Sequence, residues 1–130
     1  MPMGLFSKRS PEPVDLEARA PQTGVKLKDL LVLSQLAKAG AKLTEPRHVI
    51  YYLYFKDRSM AEAAAGEAAK LEFTCSVSEP IPEGPEHWKV VCERRPYVLS
   101  MDVVRDNTDY FEQLAARLGG AYDGWEASVR

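Results

Sequence analysis

Two cysteines and two histidines are the side chains whose types could do chemistry as a group. Cys75 and Cys92 stand about equally far from the proline-rich connection "PIPEGPE", so they could face each other across a hairpin. Such a pair could be a redox dithiol or half of a metal site, with His48 and His87 as the remaining soft ligands. The spacing is not the C-x-x-C of a redox or zinc motif. Both cysteines fall at inward strand positions, where a free cysteine is an ordinary small core residue. A Cys–His nucleophile would also need an orienting third group and an oxyanion loop, and neither is visible. The glycines of "LGGAYDG" precede a strand rather than a helix, so they form no phosphate loop. Asp102, Asp106, Asp109 and Glu112 recur along one helix face, which is either solvated or a contact for a basic partner. No catalytic residue, metal or cofactor is expected, and the chain reads as a non-enzyme.

Composition narrows the partners. Seventeen Lys and Arg against nineteen Asp and Glu leave a formal charge of −2, which gives no global pull towards nucleic acid or an anionic membrane. Two cysteines are too few for a secreted disulfide scaffold, and no apolar run approaches the ~20 residues that span a bilayer. The first residues, broken by Pro, Lys and Arg, carry no signal-peptide core. A cytoplasmic location with reduced thiols is the expectation. At 130 residues, a single domain can bury enough surface to fold without a staple.

Several elements must position these side chains. Residues 1–24 hold four prolines and mixed charges and are expected to be a flexible tail, leaving 25–130 as one domain. Leu27, Leu30, Leu31, Leu36 and Ala37 fall at helical spacing, with Leu33 off the stripe, predicting an amphipathic helix over about 26–39. "RHVIYYLYFK" is β-branched and aromatic and predicts a strand, and Asp57 or Ser59 can cap the Ala-rich helix after it. "LEFTCSVSE" and "HWKVVCERR" alternate as strands on either side of the proline-rich connection. Val103, Val104, Asn107, Tyr110, Phe111, Leu114 and Leu118 predict a second helix, and "AYDGWEASV" a last strand. The order over about 46–129 is βαββαβ. That predicts an α+β, ferredoxin-like fold: a four-stranded antiparallel sheet with two helices on one face, plus the N-terminal amphipathic helix. Asp123-Gly124 is expected to be a bulge or a close backbone approach in the closing edge strand.

Assigning strand faces exposes the question of function. Val49, Tyr51, Leu53, Phe55, Phe73, Cys75, Val77, Trp88, Val90, Cys92 and Trp125 are expected to face the helices. His48, Ile50, Tyr52, Tyr54, Thr74, Ser76, Lys89, Val91, Glu93 and Tyr122 then share the opposite face. Three tyrosines around Ile50 and Val91 suggest a surface that something covers. The N-terminal helix is the favoured cover, because its leucine stripe must be buried somewhere. The alternatives are a partner protein, a second copy of the chain, or single-stranded nucleic acid stacked on the tyrosines. The central strand "HWKVVCER" carries one aromatic, and that one points inward, so it is not an RNA-recognition motif. Tyr52, Tyr54 and Tyr122, together with Asp102, Asp106 and Asp109, are the candidate interaction residues.

The strand "HVIYYLYF", the helix "MAEAAAGEAAKLEF" and the run "DYFEQLAARLGGAYDGW" together resemble the regulator of ribonuclease activity B family. The most specific element is "YDGW", comprising Tyr122, Asp123, Gly124 and Trp125, placed after a helix that ends near Gly119. The resemblance implies a ferredoxin-like α+β protein of the bacterial cytoplasm. It also implies a non-enzymatic role, in which endoribonuclease E is bound and inhibited so that RNA turnover is modulated by protein–protein contact.

Overall fold

The computed structural model describes residues 14–82, 84 and 87–130. The elements run α1 (Leu27–Lys38), β1 (Arg47–Phe55), α2 (Arg58–Ala69), β2 (Thr74–Ser78), β3 (Trp88–Tyr97), α3 (Met101–Arg117) and β4 (Ala121–Ala127). The four strands form one antiparallel sheet in the order β2-β3-β1-β4. The α+β architecture and the βαββαβ order after α1 are those expected from the sequence.

Strand β1 lies inside the sheet between β3 and β4, a position that its β-branched and aromatic residues suit. Buried and half-buried residues alternate along its whole length, with Val49, Tyr51, Leu53 and Phe55 essentially inaccessible. α2 lies over β2 and β3, and α3 lies over β4 and β1. The Asp57 carboxylate accepts the Met60 amide at the start of α2, and the Ser100 hydroxyl accepts the Val103 amide at the start of α3. Ala61, Ala64 and Ala68 are fully buried, which lets α2 approach the sheet closely. Under α3, Phe111 stacks on Tyr51 at 4.6 Å and meets Phe73 edge-on at 5.2 Å. Asn107 on α3 donates to the hydroxyls of buried Tyr51 and half-buried Tyr97, so both phenols are satisfied.

Three expectations are corrected. The first concerns α1, which does not cover the open sheet face. It packs in the helix layer, along its β4 flank. Its buried residues are Asp29, Leu33 and Leu36, while Leu31 is 51% exposed, so the buried face keeps Leu36 of the expected stripe but turns Leu31 out and Leu33, expected off it, in. The cause is polar. The Asp29 carboxyl accepts the Thr108 hydroxyl at 2.7 Å and the Trp125 indole N–H at 2.9 Å, and both donors lie on the helix side. A buried carboxyl must be hydrogen-bonded, so Asp29 turns the helix.

The second correction concerns residues 14–24, expected to lie in the tail. Their backbone is bonded to the start of α1, through Leu27 to Ala18, Lys28 to Leu16 and an Arg19–Lys26 bridge. Arg19 also pairs with Asp109 of α3 at 2.5 Å, and Glu17 with Lys26 and Lys28 at 2.7 Å each. The rest of the expected tail, residues 1–13, lies outside the described residues.

The third correction concerns Tyr122. The β1–β4 ladder pairs Tyr51 with Trp125 and Tyr52 with Gly124, then shifts register and pairs Leu53 with Tyr122. That shift is the expected bulge at Asp123-Gly124, and Gly124 adopts φ +98°. An inserted residue reverses the alternation, so Tyr122 and Trp125 both point to the helix side. Tyr122 stacks on Phe111 at 5.8 Å instead of joining the open face.

Candidate interaction surface

The face of the sheet opposite the helices is built from the alternate residues of four strands. β1 contributes His48, Ile50, Tyr52 and Tyr54, all half-buried. β3 places Glu93 beside Ile50, Val91 beside Tyr52 and Lys89 beside Tyr54. β2 adds Thr74, Ser76 and Ser78 beyond these, and β4 adds Glu126 beside Ile50 and Gly124 beside Tyr52. Among the described residues, α1, α2 and α3 all pack on the other side.

An apolar centre results, framed by charge. Ile50, Val91 and the rings of Tyr52 and Tyr54 form the centre. On one side, His48 Nε2 lies 2.7 Å from Glu93 Oε1. On the other, the Tyr52 hydroxyl donates to Glu126. That bond, aided by burial, pushes the Tyr52 phenol up to about 12, so it stays a neutral donor. Lys89 Nζ sits 5.1 Å over the Tyr52 ring, within cation–π range. Tyr52 is therefore clamped between a cation and a carboxylate, with its ring presented at the centre. Gly124 beside it adds no side chain, which leaves the face low there.

At one end the face deepens into a cleft of about 540 Å³ between Tyr54, Lys89, His87, Glu79, Ile81 and Asp123. The His87 ring lies 6.4 Å from that of Tyr54. Glu126 and the cleft residues Glu79, Ile81 and Asp123 were not among the expected face residues. Asp123 could not have been placed there without knowing the outcome of the bulge. Glu79 and Ile81 belong to the connection, which carries no periodicity to read.

The remaining candidates separate. Tyr52 and Tyr54 are on the surface together. Tyr122 is not with them, and burial raises its phenol well above the ordinary range. Of the acidic helix residues, Asp109 is engaged by Arg19, and Asp102 and Asp106 flank Arg105 at 3.2 and 2.9 Å. Asp102 and Asp106 remain exposed, on the other layer from Tyr52.

Within the described residues, no group of three or more His, Cys, Asp or Glu is arranged to hold a metal ion, and no helix is long and apolar enough to cross a membrane. Cys75 and Cys92 do face each other, Sγ to Sγ at 3.3 Å, on the helix side of the sheet.

No match to the chain was found among curated proteins. The family model described as regulator of ribonuclease activity B matches residues 28–127, from the first turn of α1 to the end of β4. The match takes in the whole sheet, all three helices and the YDGW bulge. The chain belongs to the regulator of ribonuclease activity B family.

Proposed function

We propose that the chain is a non-enzymatic regulator that binds a ribonuclease through the open face of its sheet and so modulates RNA turnover. Membership in a family of regulators of ribonuclease activity is the observation that carries this reading. The open face supplies a place for the contact, because aromatic area inside a polar rim is the usual make-up of a protein interface. Endoribonuclease E is the target we propose, from the resemblance of the strand and YDGW sequences. An enzyme that holds RNA must present cations to phosphate. Glu93, Glu126 and Asp123, spread across and beside the apolar centre, suit a basic surface of that kind. The same carboxylates repel phosphate, so they argue against RNA itself as the ligand of this face.

The test is the cleavage rate of a single-stranded RNA oligonucleotide by purified endoribonuclease E as the chain is added. The rate should fall and then saturate, and the effect should weaken with salt because the rim contacts are charged. A rate unchanged at a large molar excess of the chain would contradict the reading. A second reading is the pairing of two copies through the same uncovered apolar centre. A dimer mass by sedimentation, with no effect on cleavage, would favour it.

A further inference from the structure

Cys75 and Cys92 are directly opposed in the β2–β3 ladder. Opposed residues of an antiparallel pair have Cα atoms about 4.5–5.5 Å apart, inside the roughly 4.4–6.8 Å that a disulfide spans. Their sulfurs are already in contact at 3.3 Å. A bond between them needs side-chain rotation and no backbone movement. β2 is an edge strand, and Cys75 on it is half-buried, whereas Cys92 is fully buried. The two thiols are therefore unequal in access.

They are unequal in acidity as well. The hydrogen bond with Cys92 draws the Cys75 thiol below its ordinary range, against the effect of burial. The same hydrogen bond, and then burial, push Cys92 up. The accessible sulfur is the one that more readily becomes a thiolate, which is the nucleophilic form.

We propose that Cys75 and Cys92 form a reversible dithiol–disulfide site that takes hydrogen peroxide as its oxidant, with Cys75 as the attacking thiol and Cys92 as the resolving one. The Cys75 thiolate attacks one peroxide oxygen and the O–O bond breaks. Cys75 becomes a sulfenic acid, and the departing hydroxide takes up a proton as water. The Cys92 sulfur then attacks the sulfenic sulfur. The S–O bond breaks, and the hydroxyl leaves as a second water with the Cys92 proton. Two thiols and one peroxide give one disulfide and two waters, with two electrons passing from sulfur to oxygen. The product pins edge strand β2 to β3 and closes a loop between positions 17 residues apart. Constraining the unfolded chain in this way should raise Tm on the order of 10 °C. The site stands apart from the ribonuclease reading and survives its failure.

The experiment treats the full chain with a small excess of hydrogen peroxide, unfolds it in denaturant with N-ethylmaleimide, and measures the mass. The expected product is a monomer lighter by two hydrogens with no maleimide adduct, and dithiothreitol should restore adducts on both cysteines. In Cys92→Ser, oxidation should stop at a Cys75 sulfenic acid that dimedone captures. In Cys75→Ser, Cys92 should remain a free thiol. A wild-type chain that keeps both thiols alkylatable, or that forms only interchain disulfides, overturns the proposal.

Discussion

The indole of Trp125 donates to Asp29, a carboxyl only 4% exposed, which also holds the Thr108 hydroxyl. Removing one donor leaves a buried acceptor short of a partner. Trp125→Phe should therefore lower stability by about 2 kcal/mol in urea unfolding, beyond any change in packing. Gly124 presents a different residue-level constraint. A Cβ there would meet nothing within 4 Å, yet its φ of +98° strains any L side chain. Gly124→Ala should cost about 1–2 kcal/mol with no new contact, measured in the same way. The inward placement of Trp125 was legible in the strand alternation. Its partner was not, because Asp29 lies 96 residues away and an acid on a helix ordinarily reads as a solvent position. The same blindness explains α1. Its apolar content announced a helix, but the one residue that decides which face is buried is polar, and its donors come from α3 and β4.

Bulges act at the scale of the element. The Asp-Gly pair was readable as a bulge, but its consequence requires counting pleats through it, and a single inserted residue sends Tyr122 to the opposite side. Deleting Asp123 should restore regular alternation and leave Tyr122 opposite Leu53, still stacked on Phe111 under α3. We expect stability, read from the urea midpoint, to change by no more than about 1 kcal/mol, because the core contacts of Tyr122 are kept. The strap of residues 14–24 was hidden for another reason: its prolines argue against regular structure but say nothing about docking. Its ion pairs make a pH prediction. Hydrogen bonds from Lys26 and Lys28 hold the Glu17 carboxyl down to about 2, below its ordinary 4.5. A depressed folded-state pKa stabilises fully above the unfolded value and is lost as pH falls through the folded one. Stability should therefore decline between pH about 4.5 and about 2, and Glu17→Gln should flatten part of that decline. The effect should be modest, because the Glu17 side chain is 57% exposed and solvent screens it.

At the scale of the molecule, four strands and three helices leave one sheet face without cover among the described residues. The strand order and the two inward faces followed from alternation and hydrophobic period, so the existence of an open face was legible. Its composition was legible for β1 and β3, which carry no irregularity at Tyr52, Tyr54, Lys89 or Val91. It was not legible for β4, beyond the bulge, or for the aperiodic connection that forms the end cleft. The face's role as the ribonuclease contact is the central claim, and Tyr52 at its centre is the residue to change. The most direct measurement is the affinity of the chain for purified, RNA-free endoribonuclease E by titration calorimetry. It would compare the wild type with Tyr52→Ala and with Met60→Ala, a control on exposed α2 in the opposite layer. The account predicts binding by the wild type, unchanged affinity in Met60→Ala, and a loss of at least about tenfold in Tyr52→Ala, as for a central aromatic anchor. Absent binding, or equal affinity in a folded Tyr52→Ala, would contradict it.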